Sequence, residues 1–171
     1  MIRIALVGEI ASGKTFVSRL FRLPTFNADK EVKKIYKKSR SCFKKLNKTF
    51  PNNIKSYPIK KSEIKKILNK SNIKTLSKIV HPYIRLNLKE FEKKNYNRKF
   101  VVIDIPLLIE SKLFKKSDIL IGVKTSRKII TKRLKQRGTY SQKILNLLRT
   151  QQFNIKRKLK LCDFIIENNS H

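Results

Sequence analysis

The stretch GEIASGKT, Gly8 to Thr15, constrains this chain more than any other feature. It fits the pattern G-x-x-x-x-G-K-[S/T], a backbone loop that cradles phosphate groups. It follows an apolar, β-branched run, Ile2 to Val7, that reads as a buried strand. After it, Phe16, Val17, Leu20 and Phe21 recur at helical spacing. Strand, glycine-containing loop and helix therefore come in the order the pattern needs.

The residue types explain the pattern. Gly8 and Gly13 allow a tight turn and a close backbone approach with no Cβ in the way. Through Ala11, Ser12 and Gly13 successive N–H groups turn inward and bind anions, and the N-terminus of the helix carrying Lys14, Thr15 and Phe16 adds its positive dipole end. Lys14 supplies a cation for the β and γ phosphates, and the Thr15 hydroxyl suits Mg²⁺. A glycine turn that binds nothing is the alternative; the complete motif in its strand–helix setting argues against it. The motif alone does not name a reaction.

With 171 residues the chain can build one domain with a real core. No apolar run approaches the roughly 20 residues of a membrane span, and no signal-peptide pattern opens the sequence. Cys42 and Cys162 stand apart with no metal-ligand spacing, which suits free thiols in a reducing cytoplasm. The net charge of +32, from 43 basic and 11 acidic residues, leaves three explanations. A nucleic-acid surface is one, an anionic small ligand a second, and coding bias a third. Lysines spread over the whole chain, 4 glycines and no tryptophan favour bias with ligand attraction added, and no dedicated nucleic-acid partner is expected.

Further along, Phe26 to Asp29 reads as a short extended piece leading into a helix with Val32, Ile35 and Tyr36 on one face. Ser39 to Tyr57 reads as a polar stretch with scattered anchors at Phe43, Leu46 and Phe50. Three helices follow: one at Ile64 to Leu68, one at Ile73 to Val80, and a third after His81-Pro82. Phe100 to Leu108 is the strongest strand signal, a continuous apolar run that belongs inside a parallel sheet. Asp118 to Val123 is another strand, Thr125 to Arg137 a helix capped by Thr125 or Ser126, and Ser141 to Thr150 a helix. Phe164 to Ile166 is a last strand. Alternation of this kind predicts an α/β fold on a parallel sheet.

Asp29, Asp104 and Glu110 fall at or just past predicted strand ends, the edge where open α/β folds bind ligands. Asp29 could accept a proton from an acceptor hydroxyl, or simply cap a helix. Asp104 could order the shell of Mg²⁺, or be satisfied by neighbouring groups. Arg133 and Arg137 share a helix face ahead of Gly138 and suit a lid over phosphates, although a solvated basic face has the same spacing. His81 could meet substrate or pack at a helix junction.

Taken together these segments resemble the dephospho-CoA kinase family over almost the whole chain. GEIASGKT lies where the family has a GGIGSGKS-like loop, and FNADK matches its V-I-D-A-D segment. IVHP matches L-x-H-P, and VVIDIPLLIESKLFKKSDILIGV follows the family's longest signature. ITKRLKQRG matches Q-x-x-R-L-x-x-R, and Gln152, Lys158 and CDFIIENN match the closing segment. The resemblance implies a P-loop NTPase-type three-layer fold with a parallel sheet, a core of about 1–38 and 99–171, a helical substrate subdomain of about 39–98 and a short lid of about 134–150. It implies ATP and Mg²⁺ as cofactors, a cytoplasmic enzyme, and phosphorylation of the ribose 3′-hydroxyl of dephospho-CoA. It makes Asp29 the general base, places Arg137 on the ATP phosphates and His81 on the substrate side. Asn27 departs from the first acid of D-A-D, and Glu9 and Ala11 replace loop glycines. Glu9 is expected to point away from phosphate, and Ala11 to keep a negative φ. The end at His171, without the family's usual C-terminal helix, is expected to leave one sheet face less covered. Another small-molecule P-loop kinase, or a basic nucleic-acid binder with a vestigial loop, are the rival readings.

Overall fold

The computed structural model describes residues 1–137 and 142–169, which form two compact units, 1–27 with 95–171 and 28–94. In the first, five strands make one parallel sheet in the order β2-β3-β1-β4-β5. They are β1 (Ile2–Gly8), β2 (Thr25–Asn27), β3 (Phe100–Asp104), β4 (Ile119–Lys124) and β5 (Phe164–Glu167). The apolar run of β1 is central and buried from Arg3 onward, as a strand covered on both faces must be. One face packs Ile4, Leu6, Val102, Ile121 and Val123 against Val17 of α1 (Lys14–Leu20). The other receives the short helix at Ile155–Leu159, which approaches so closely that a Cβ on Gly122 would lie 2.5 Å from Leu159 Cδ2. At the edge, Phe164 and Ile165 of β5 are exposed.

Arg3 interrupts the apolar pattern of β1. Its guanidinium donates to Asp118 Oδ2 at 2.6 Å and to the Leu113 carbonyl at 2.9 Å, and both charged side chains are buried. A buried charge needs such a partner. Asp118 therefore serves as that partner, and β4 starts one residue later than its apolar run suggested. β3 is also shorter than the run Phe100 to Leu108: it ends at Asp104, and Pro106, which cannot donate to a ladder, falls in the turns that follow.

The second unit is helical throughout: α2 (Ala28–Lys38), α3 (Arg40–Thr49), α4 (Lys61–Ile67) and α5 (Asn72–Lys94). The polar stretch from Ser39 to Tyr57 opens with a helix, α3. Its buried residues, Cys42 and Leu46, are four apart, and Ser39 caps it by accepting from the Cys42 N–H. The two helices expected around His81-Pro82 are one. Pro82 lies inside α5 and removes one i→i−4 donor, but Ile73, Leu76, Val80, Ile84 and Leu88 keep one continuous buried face across it. Each such fully buried side chain contributes about 1.5–3 kcal/mol, enough to carry the helix past one missing bond. Glu31 of α2 binds Asn87 of α5 at 3.0 Å. Glu63 gathers the Lys55, Ser56 and Lys60 N–H groups and the Ser56 hydroxyl. Partial burial opposes its charge, but these bonds outweigh it and hold the carboxyl at about 2.

The remaining helices, α6 (Arg127–Arg137), α7 (Gln142–Thr150) and α8 (Ile155–Leu159), belong to the first unit. The lid expected at about 134–150 includes residues 138–141, which lie outside the described residues. Among the described residues no helix is long and apolar enough to cross a membrane.

Candidate active site

The phosphate loop leaves β1 at the carboxyl edge of the sheet, between β3 and β4, where successive crossovers go to opposite sides. Open α/β sheets bind ligands at such a switch point. Gly13 has φ 94°, a left-handed conformation that caps α1. A Cβ there would also lie 2.1 Å from Asn168 Nδ2, so glycine is required twice over. Gly8 is enclosed by Ser12 Oγ and the Val123 carbonyl, each 2.7 Å from where a Cβ would stand. Ala11 corrects an expectation: its φ is +64°, not negative. With the Ser12 N–H on the Glu9 carbonyl and Arg133 on the Ala11 carbonyl, the methyl group accepts a strain of about 1–2 kcal/mol.

Lys14 is buried, and its Nζ donates to the carbonyls of Gly8 at 3.0 Å and Glu9 at 2.8 Å. The ammonium is thus held against the loop's own backbone. One residue on, the Thr15 hydroxyl donates to Asp104 Oδ2 at 2.6 Å. Asp104 is the last residue of β3, opposite Leu6 of β1 and Asn27 of β2 in the strand register. Its Oδ2 also accepts from Asn27 Nδ2 at 2.6 Å. The buried acid is thus satisfied by an amide and a hydroxyl rather than by backbone or a lysine.

A second layer holds the loop from outside. The Ser12 carbonyl accepts from Asn168 Nδ2 at 2.9 Å and from Arg133 Nη1 at 3.2 Å, and the Thr125 hydroxyl lies 2.9 Å away. Thr125 can give its single proton to that carbonyl or to the Asn168 carbonyl at 3.2 Å. Arg133 Nη2 reaches the same Asn168 carbonyl at 3.3 Å. With the Ser12 carbonyl turned outward, the following peptide N–H faces the other way, as anion binding requires. The Thr125 hydroxyl is thus engaged with the loop, and the Ser126 carbonyl, just ahead of α6, accepts the Ile130 N–H.

Glu110 and Lys158 form a buried ion pair at 3.1 Å. Glu110 Oε1 also accepts the Phe153 N–H, fastening the chain between α7 and α8 to the segment after β3.

Gly8, Ala11, Ser12, Gly13, Lys14, Thr15, Asp104 and Arg133 thus come together in the first unit. Phe16 shares their helix with its ring exposed. Asp29 stands in the first turn of α2, and His81 on α5, both in the helical unit. Burial, and then Arg85, lowers the His81 pKa, so its imidazole is neutral at pH 7. Arg137 ends α6; its side chain lies outside the described residues. Asn168 and Thr125 had no sequence signal as loop supports, because their bonds to the loop span 156 and 113 positions. Asn27 stood out in the sequence only as a departure from D-A-D.

A model of the dephospho-CoA kinase family matches residues 2–171. The dephospho-CoA kinase of Wolbachia pipientis is 32% identical over 96% of this chain and 87% of its own length. That of Bartonella quintana is 31% identical over 95% of this chain and 87% of its own length. The solved dephospho-CoA kinase of Campylobacter jejuni superposes with a TM-score of 0.61 at 25% identity, covering 100% of this chain and 91% of that one. A phosphate loop on a parallel sheet fits many kinases, but an end-to-end sequence match narrows them to one: the chain belongs to the dephospho-CoA kinase family, which uses ATP to convert dephospho-CoA to CoA.

Proposed function

We propose that this chain transfers the γ-phosphoryl group of ATP to the ribose 3′-hydroxyl of dephospho-CoA in a cytoplasmic, Mg²⁺-dependent reaction. The 3′ oxygen forms the new P–O bond, the bond to the β,γ-bridging oxygen breaks, and ADP leaves with its electron pair. The observation that carries the reading is Lys14 on the loop carbonyls and the Thr15 hydroxyl on buried Asp104 at the sheet's carboxyl edge, in a chain matched along its length by one kinase family.

Each residue has a distinct task. The loop amides and Lys14 bind the donor phosphates. Asp29 takes the proton of the acceptor hydroxyl. Arg137 adds positive charge at the transferring group, and Arg133 holds the loop from behind by its bonds to Ala11 and Ser12. His81 serves the substrate side as a neutral imidazole. Thr15 and Asp104 offer hard oxygen donors, and because the Thr15 proton is committed to Asp104 its oxygen faces a cation with lone-pair density, one side of it near the Asn27 amide. Mg²⁺ held there would neutralise phosphate charge as it develops. Most of the acceleration then comes from positioning and fixed charge.

A coupled ADP-release assay offering dephospho-CoA, AMP, CMP and shikimate in turn tests the assignment. Turnover with dephospho-CoA, and a new phosphomonoester ³¹P resonance on the 3′ position, is expected. Turnover only with one of the other three would move the chain to another small-molecule kinase. Steep salt-dependent binding to DNA or RNA without kinase activity would favour the nucleic-acid reading.

A further inference from the structure

We infer that Asn27 is a positioning residue that occupies a cation's place beside Asp104, so that the divalent metal enters with the nucleotide rather than alone. The inference rests on the proposed metal role of Thr15 and Asp104.

The geometry is specific. Asn27 ends β2 directly opposite Asp104 in the parallel register. Its Nδ2 lies 2.6 Å from Asp104 Oδ2 and 3.5 Å from Thr15 Oγ1. Asn27 and Asp104 are both buried, at 8% and 3% exposure. The amide must present nitrogen here, because the flipped amide would set an oxygen against the carboxylate. Asp104 Oδ2 thus has two donors, the amide and the Thr15 hydroxyl, and both fix its rotamer.

A carboxylate at position 27 would reverse this arrangement. It would place a second anionic oxygen about where Nδ2 stands. Like charges so close need a proton or a cation between them. With the Thr15 oxygen beside them, the three groups would form a hard-oxygen site able to bind a divalent ion without nucleotide. Asparagine satisfies Asp104 without one. The amide's hydrogen bond yields when the nucleotide's phosphate oxygens supply the further hard ligands that a divalent ion needs beside Asp104 and Thr15.

The test is Mn²⁺ binding to the nucleotide-free, full-length protein, followed by the EPR signal of the free ion, for wild type, Asn27→Asp and Asn27→Ala. Asn27→Asp is expected to bind Mn²⁺ at least about tenfold tighter than wild type, because each added carboxylate raises affinity for a hard cation. Asn27→Ala, lacking both amide and charge, should bind a few-fold tighter than wild type and show a kcat lowered more than its KM for dephospho-CoA is raised. It remains informative if Asn27→Asp does not fold. Wild-type Mn²⁺ affinity in whichever variants fold overturns the inference. Asp104→Asn is the separate control. If it leaves the metal dependence of ATP binding unchanged, the proposed metal role fails; if it abolishes that dependence while the Asn27 variants bind Mn²⁺ as wild type does, only the inference about Asn27 fails.

Discussion

Every buried polar or charged side chain among the described residues belongs to the sheet unit, whereas the helical unit buries only apolar groups and Cys42. In the sheet unit Arg3 meets Asp118, Lys158 meets Glu110, and Asn27, Thr15 and Asp104 share one oxygen. In the helical unit Ile, Leu and Val fill the interior, and the acid Glu63 organises backbone near the surface. The contrast follows from what each unit must hold. A loop that grips phosphate needs polar groups fixed out of water; most are partnered, although the buried Ser12 Oγ has no hydrogen-bond partner among the described residues. Helices need only a common apolar face.

The largest expected effect would break the contrast at a buried charge. Lys158→Met strands Glu110 and should cost about 3–5 kcal/mol, read from thermal melts. Replacing both residues, with Glu110→Leu added, should recover most of it. A single variant as stable as wild type would show that the pair is not a buried constraint.

Next comes the loop's outer support. Asn168→Ala removes the Nδ2 bond to the Ser12 carbonyl and should raise the KM for ATP about tenfold, the equivalent of about 1.4 kcal/mol. An unchanged KM would assign the loop's shape to Thr125 and Arg133 alone.

In the helical unit the sensitive group lies nearer solvent. The Glu63 carboxyl, held at about 2 against an ordinary 4.5, stabilises the fold fully above about pH 4.5. That contribution is lost as pH falls from about 4.5 toward 2, because the unfolded chain takes up the proton first. Glu63→Gln should lower stability by about 1 kcal/mol at pH 7 and remove this acid dependence, which melts across the range would show. The smallest effect is Ala11→Gly. Releasing the positive φ, offset by the greater freedom of glycine in the unfolded chain, should stabilise by less than about 1 kcal/mol.

What could be read from sequence divides along the same boundary. β1, β3 and β4 announced themselves as apolar runs, and the loop as a motif, because each signal is local. α3 was legible but missed: Phe43, Leu46 and Phe50 stand at i, i+3 and i+7, a helical period that reading them as scattered anchors in a lysine-rich stretch passed over. α5 read as two helices because Pro82 is a local break that a long-range apolar face overrides. The placement of Asn27 on Asp104 needed the β2–β3 register, and that of Asn168 needed the chain's end brought back to its start.

In the proposed mechanism loop amides and Lys14 hold a triphosphate while Asp29 readies an alcohol to receive its last group. Single-turnover measurement on Asp29→Asn, with ATP binding followed separately, tests it most directly. Phosphoryl transfer is expected to slow about a thousandfold at unchanged ATP affinity; transfer at the wild-type rate would rule out Asp29 as the base.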